Sequence, residues 1–250
     1  MSTIGIIGFG VVGRSIFSFL DTYKHTPEVV KQGKLRDVID TGQLQLVVWD
    51  KRELTADEQA SITQTGGIFI TGLSTTLEAF IDRCDVVIAS PGINIEPYKN
   101  SATPILCELD LFSLFFTKPV IAITGSLGKT TTTKLLGALT ERLRYHAVGQ
   151  HNDIGGDVLE CDLAGKASVR SAVGGNIGIG MLDLVKQVNE YDLGVLELSS
   201  FQLDLNTTFA PDVAVWTNFY PNHLDRHITQ EAYFQAKFNL MAGQREGQLA

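Results

Sequence analysis

Ile121-Ala122-Ile123-Thr124-Gly125-Ser126-Leu127-Gly128-Lys129-Thr130-Thr131 is the stretch on which the reading of this chain turns. An apolar, β-branched run passes through two glycines into a segment opening with Lys-Thr, the pattern of a strand, a tight loop and a helix start. Glycines there let backbone N–H groups converge on an anion without side chains in the way. The helix N-terminus adds partial positive charge, Lys129 adds a full one, and the Thr130 hydroxyl is a candidate ligand for Mg2+. The pattern G-x-x-x-x-G-K-[ST] is not met, because its first glycine falls on Ile123; the loop is the shorter G-x-x-G-K-T. A lysine at a helix start opposes the helix dipole. A solvent-facing turn leaves that placement unexplained, and a bound phosphate explains it.

Outward from this loop the chain alternates short β-rich runs with helical stretches, which predicts a parallel α/β architecture. Before it, strands are expected at Thr3–Ile7, Leu44–Trp49, Gly67–Ile70 and Asp85–Ala89. Helical stretches are expected up to Tyr23, around Val29–Ile39 and over Thr75–Ile81. Thr117-Lys118-Pro119 interrupts the pattern, so a Rossmann-like domain is placed at residues 1–117 and a P-loop α/β domain at 118–250. The second domain is expected to run through helix Lys129–Arg142, an irregular stretch and helix Gly180–Val188. Strands Leu193–Leu198 and Val213–Thr217 and helix Thr229–Leu240 then follow.

Composition narrows the classes. Hydrophobic residues make up 44% of the chain and charged residues 19%, enough apolar matter to fill a core and too little charge for a disordered chain. A formal net charge of −8 argues against a protein that coats nucleic acid, though not against phosphate-bearing small molecules held by a few local donors. The sequence has no apolar run of the length that spans a membrane and no basic segment ahead of an apolar one at its start. Cys84, Cys107 and Cys161 are an odd, widely spaced set without CxxC and read as ordinary thiols of a reducing compartment. A cytoplasmic monomer without nucleic-acid or membrane partners is the expectation.

A second glycine loop, Gly8-Phe9-Gly10-Val11-Val12-Gly13, follows the first strand and matches the dinucleotide fingerprint. The acid expected about 20 positions on is Asp50 at the earliest strand end, about twice that distance away. The loop can approach a diphosphate without naming it. Three further segments sit where open α/β sheets place ligands. Glu197, in Glu197-Leu198-Ser199-Ser200-Phe201-Gln202-Leu203, puts a carboxylate at a strand end, as Mg2+ beside phosphates requires. Asn218 to His227 form a polar loop after the next strand, and Gly174-Gly175-Asn176-Ile177-Gly178 is another glycine turn. Taken singly, His223 and Lys237 read as surface residues.

Taken in order, Gly125–Thr131, Gly174–Gly178, Glu197–Leu203 and His223–His227 resemble the ATP-dependent Mur ligases, and Gly8–Gly13 and Ser90-Pro91-Gly92-Ile93 fit the same family. The pair GGNIG and ELSSFQL is similar to the D-glutamate-adding branch. The resemblance implies an acyl-phosphate route to an amide bond, with ATP, Mg2+, UDP-N-acetylmuramoyl-L-alanine and D-glutamate as reactants. It places ATP phosphates on Gly125, Ser126, Leu127, Gly128, Lys129, Thr130, Thr131 and Thr132, and metal on Thr130, Glu197, His223 and Lys237. Lys237 falls where the family carries a lysine carbamylated by CO2, and Lys129, His223 and Lys237 would be catalytic. Asn176 and Ser199 would touch the muramoyl-alanine part. The loop residues Gly8, Gly10, Val11, Val12 and Gly13, with Asp50, Arg52, Ser90 and Gly92, would take the UDP-linked substrate.

The sequence departs from the family in three places. Leu127 stands where the family loop commonly has Asn. The spacing from Thr130 to Asn176 is longer than the resemblance leads one to expect. Its surplus, Gln150–Ser171, either decorates the fold or covers the site. Family members continue past the Lys237 helix into more strands and a C-terminal amino-acid-binding domain, so a chain stopping at Ala250 is expected to be a fragment. Other readings stay open: another Mur-type ligase, a non-catalytic ATP- or UDP-precursor-binding module and, least supported, an NAD-dependent dehydrogenase.

Overall fold

A computed structural model of the chain describes residues 2–23, 44–98, 100–142, 144–147, 159–162, 167–206 and 208–250. It divides into two compact units. The first comprises residues 1–116 together with Gly180–Val185 and Phe201–Phe209; the second comprises Thr117–Ile179, Lys186–Ser200 and Ala210–Ala250. The second half of the sequence thus contributes two short segments to the first unit.

The first unit is built on five parallel strands, β1 (Ser2–Ile7), β2 (Leu44–Asp50), β3 (Ile68–Thr71), β4 (Val86–Ala89) and β5 (Ile105–Cys107), in the order β3-β2-β1-β4-β5. A central parallel strand is covered on both faces and so reads as a continuous apolar run. Ile4, Ile6 and Ile7 of β1 and all four residues of β4 are fully buried. The connecting helices are α1 (Val11–Tyr23), α2 (Ala56–Thr63), α3 (Leu77–Ile81) and α4 (Glu108–Phe115). Threonine hydroxyls start two of them: Thr55 caps α2 in a reciprocal box with Glu58, and Thr76 caps α3. That cap is why α3 begins at Leu77, two residues later than its sequence suggests. The β5–α4 pair went unanticipated, because three strand residues leave too short a period to read. The expected helix around Val29–Ile39 lies outside the described residues.

The second unit carries a parallel sheet ordered β10-β11-β6-β12, from β6 (Val120–Thr124), β10 (Ser171–Gly175), β11 (Leu193–Glu197) and β12 (Val213–Trp216). Helix α5 (Lys129–Thr140) follows β6. The stretch read as irregular instead contains a small antiparallel sheet, with β7 (Arg144–Ala147) between β8 (Leu159–Asp162) and β9 (Ala167–Ser168). Its pieces are two to four residues long, below what alternation can reveal. Helices α6 (Met181–Lys186) and α7 (Ser200–Asp204) lie almost wholly in the segments that belong to the first unit, while α8 (Leu224–His227) and α9 (Gln230–Ala242) follow β12. Among the described residues no helix is long and apolar enough to cross a membrane.

One buried carboxyl in the first unit gives the fold a pH dependence. Glu108, 3% exposed at the start of α4, is pushed up to about 7 by its burial and then by the nearby Asp183 carboxylate, against a backbone hydrogen bond at Leu182. A carboxyl whose folded pKa exceeds its unfolded value costs nothing well below pH 4.5. The cost grows between pH 4.5 and 7 and stays constant above. At full size the penalty is about 3 kcal/mol. Glu108→Gln should therefore raise the urea midpoint at pH 8 and leave it nearly unchanged at pH 5. A difference between the two proteins that is the same at both pH values would refute this.

Candidate functional site

In the second unit the sheet register lines up three strand ends. Glu197 pairs with Ile123 and Trp216 with Thr124, so the loops leaving β6, β11 and β12 emerge side by side. Strand β6 has β11 on one flank and β12 on the other, the reversal at which open parallel sheets form a crevice.

The loop after β6 is shaped by glycine. Gly125 has φ +146°, and a Cβ there would run into Thr217 Oγ1; Gly128, at φ +80°, takes the left-handed conformation and starts α5. Lys129 folds back over the loop, its Nζ donating to the carbonyls of Gly125 (2.9 Å) and Ser126 (3.2 Å). Thr130 Oγ1 donates to Glu197 Oε2 at 2.7 Å, and Asn176 Nδ2 donates to Glu197 Oε1 at 2.9 Å. Glu197 is itself buried, so one carboxylate with both oxygens engaged ties the loop helix, the β11 end and the Gly174–Gly178 turn together. Gly175 is obligatory for that approach, because a Cβ would meet the Glu197 carbonyl.

Two loop donors expected to face a phosphate are already paired. The Ser126 N–H donates to the Asn218 carbonyl at 3.1 Å and the Leu127 N–H to Asn218 Oδ1 at 2.9 Å. Asn218 Nδ2 and Thr217 Oγ1 both donate to the Leu127 carbonyl. The Ser126 hydroxyl is enclosed as well, donating to the Tyr220 carbonyl, accepting from the Tyr220 N–H and lying 3.1 Å from Tyr233 OH. The N–H groups opening α5, at Lys129, Thr130 and Thr131, lack intrahelical acceptors by helix geometry. Leu127 projects outward, 61% exposed.

Lys237 and His223 meet at one aromatic ring. Lys237, 1% exposed, donates to the Gly125 carbonyl at 2.8 Å and stands 4.7 Å from the centre of the Tyr233 ring; the His223 ring lies 6.2 Å from the same ring. Burial and then the neighbouring Lys129 charge bring the Lys237 amine down to about 8, so near neutrality it holds an appreciable uncharged fraction. Among the described residues no cluster of three or more His, Cys, Asp or Glu could hold a metal ion alone. The Thr130–Glu197 oxygen pair nevertheless suits Mg2+, which takes one or two protein oxygens alongside phosphates and water. Ser199 is half-buried beyond Glu197, and Thr131 and Thr132 continue the first turns of α5.

In the first unit the other glycine loop sits at the reversal between β1 and β4. A Cβ on Gly13 would run into the Gly8 carbonyl, which also accepts from Ser90 Oγ at 3.0 Å. Gly10 and Gly92 have open space where a Cβ would stand. Val11 is exposed and Val12 half-buried at the first turn of α1. Asp50 is spent on the loop, its two oxygens accepting from the Phe9 N–H (2.7 Å) and the Arg52 N–H (3.0 Å). Arg52 closes a two-bonded pair on Glu58, 2.8 Å at each contact, and Arg14 joins the same carboxylate at 3.0 Å. The Arg52 hydrogen bonds and then the Thr55 N–H hold the Glu58 carboxyl down at about 2. Sequence reading missed Arg14, Glu58 and Tyr233, and gave Asn218 and His227 no role beyond membership of a polar loop. Only the Thr55–Glu58 capping spacing was visible as a local signal.

Two glycine loops, each between a parallel strand and a helix at a reversal of strand order, place the chain among the parallel α/β proteins with phosphate-type loops. More narrowly, it belongs to the Mur ligase family: the Mur ligase middle domain model matches residues 123–250. The UDP-N-acetylmuramoylalanine--D-glutamate ligase of Legionella pneumophila (strain Paris) is 38% identical over 176 residues, covering 68% of this chain and 34% of that protein. The protein of the same name from Lachnoclostridium phytofermentans is 34% identical over 209 residues, covering 80% and 40%. A solved UDP-N-acetylmuramate:L-alanyl-gamma-D-glutamyl-meso-diaminopimelate ligase from Neisseria meningitides aligns with the whole chain and 70% of its own, at 14% identity and a TM-score of 0.44. The chain spans 34–40% of the length of these two curated relatives.

Asn218 meets both the N–H and the carbonyl of Leu127, so Asn218→Ala should free the N–H and leave the carbonyl to Thr217 Oγ1, at a cost of about 1–2 kcal/mol. The Leu127 amide should then exchange with solvent faster while amides of β6 keep their protection. Unchanged Leu127 exchange would show that the clamp contributes nothing.

Proposed function

We propose that this chain forms the UDP-precursor-binding and ATP-binding parts of a ligase that adds D-glutamate to UDP-N-acetylmuramoyl-L-alanine during peptidoglycan precursor synthesis. The observation that carries the reading is the 2.7 Å pairing of Thr130 with Glu197 beside Lys129, an oxygen pair and a cation at the mouth of a glycine loop. Names of curated relatives support the choice of substrates.

A carboxylate resists an amine because it is anionic and resonance-stabilised. Attack of its oxygen on the γ-phosphorus of ATP expels ADP and leaves an acyl phosphate. The amine of D-glutamate adds to that acyl carbon, phosphate departs, and loss of the amine proton leaves the amide. Mg2+ held by Thr130 and Glu197 would supply charge neutralisation at the phosphates. Lys129 exchanges the loop carbonyls for phosphate oxygens and follows the charge as it moves. Asn176 keeps the Glu197 carboxylate oriented, and the α5 N-terminus supplies the backbone donors. Lys237, buried with a lowered pKa, is suited to react with CO2 as a neutral amine, and loss of a proton would leave the carbamate as an anion at the Tyr233 ring that His223 also approaches. In the first unit, the Gly8–Gly13 loop with Ser90 is assigned to the diphosphate.

Lys129→Ala should abolish ATP binding in the presence of Mg2+, measured by calorimetry, while the protein stays folded. Equal affinity in the two proteins would overturn the nucleotide assignment. UDP-N-acetylmuramoyl-L-alanine should raise the melting temperature and NAD should not. Stabilisation by NAD alone would restore the dehydrogenase reading.

A further inference from the structure

The most strained described backbone in the second unit lies at Ile228, in the two-residue joint between two helices. Ile228 has φ +65° and ψ −45°, and the Thr229 N–H donates to the His227 carbonyl at 2.7 Å, closing a three-residue γ-turn of the disfavoured hand. A β-branched residue at positive φ is a genuine outlier, kept only where its surroundings dictate it. The Ile228 side chain does not, since it is 82% exposed. Its neighbours do. On one side, His227 is buried, with Nε2 3.0 Å from the hydroxyl of Ser200, itself 3% exposed at the turn that follows Glu197 and Ser199. On the other, Thr229 caps α9, its Oγ1 accepting from the Ala232 N–H. Helix α8 is preceded by His223 at its N-cap, also left-handed at φ +53°, and α9 carries Tyr233 and Lys237. Two residues, Ile228 and the capping Thr229, are all the chain has to turn from the first helix into the second.

We propose that His227 is a positioning residue: by its bond to Ser200 it pins the γ-turn at Ile228 and thereby sets where His223 stands relative to Lys237. The proposal rests on reading His223 and Lys237 as parts of a nucleotide–metal site. The His227 ring packs on Tyr233 at 5.4 Å, and Tyr233 touches Ser126, Lys237 and His223. The Ser200 hydroxyl thus couples the β11 turn to the groups around the β6 loop through one buried imidazole. Because the strain holds geometry and contributes nothing to stability, removing it should separate the two. Ile228→Gly should raise the melting temperature by about 2–4 °C, since glycine accepts this φ and no buried surface is lost. The same change frees the joint and should weaken metal-dependent binding.

The test is calorimetric titration of β,γ-methylene-ATP into the full 250-residue chain, with Mg2+ and with EDTA. His227→Ala and Ser200→Ala should each reduce the affinity gained from Mg2+ by about 10-fold, equivalent to about 1.4 kcal/mol, and leave affinity in EDTA unchanged. The double variant should lose no more than the larger single loss, and His227→Gln, which can still bond Ser200, should recover most of it. Equal loss with and without Mg2+ would reduce His227 to a packing residue and overturn the proposal, as would no loss in either single variant. Ile228→Gly covers the case in which the alanine variants fail to fold: a higher melting temperature with undiminished Mg2+-dependent affinity would also overturn it. If wild-type protein binds the nucleotide in neither condition, the reading of the site itself falls, a result distinct from the others.

Discussion

The parallel register of β6 between β11 and β12 is the constraint from which the second unit's site follows. Backbone pairing alone sets Glu197 level with Ile123 and Trp216 level with Thr124. The next residues of each strand must therefore share one edge of the sheet. Every contact at the candidate site uses that alignment. Thr217 and Asn218 brace the glycine loop from the β12 side, while Glu197 receives Thr130 and Asn176 from the β11 side. A shift of one residue would turn Glu197 to the opposite face and leave a buried carboxylate without its donors.

Buried charge is handled differently at each site. Glu197 is enclosed with two neutral donors, an arrangement that keeps an anion inside a sheet edge without a fixed counter-charge. Lys237 is enclosed with carbonyl and hydroxyl oxygens and an aromatic face, and its amine responds by losing basicity. Beside the Gly8–Gly13 loop the charges stay at the surface, where Arg14 and Arg52 share Glu58. Such exposed pairs add little to stability. Their effect is to hold two guanidinium groups beside the Gly8–Gly13 loop.

What was legible in the sequence was local. The two glycine loops could be read because glycine spacing, a preceding apolar run and a following helix are neighbours in the chain. The buried strands were legible as unbroken apolar runs, β4 within one residue of its observed start. What escaped depends on partners far apart in sequence. Nothing near Asn218 indicates that it grips Leu127, and nothing near His227 points to Ser200. Arg52 reads in the sequence as a substrate contact, and its pairing with Glu58 is not legible there because it is decided by where α2 begins. The two short segments that belong to the first unit, Gly180–Val185 and Phe201–Phe209, could not be assigned from a linear reading that expects each domain to be contiguous.

The most direct test of the central claim, that Glu197 and the β6 loop form one metal–phosphate site, is the Mg2+ dependence of ATP binding in Glu197→Gln. Glutamine keeps the shape and can still meet Thr130 and Asn176, but it removes the anion. The expected result is that ATP binds the variant with an affinity that no longer responds to Mg2+, near that of wild type in EDTA. An undiminished Mg2+ response in Glu197→Gln would contradict the claim and leave the carboxylate as a structural brace alone.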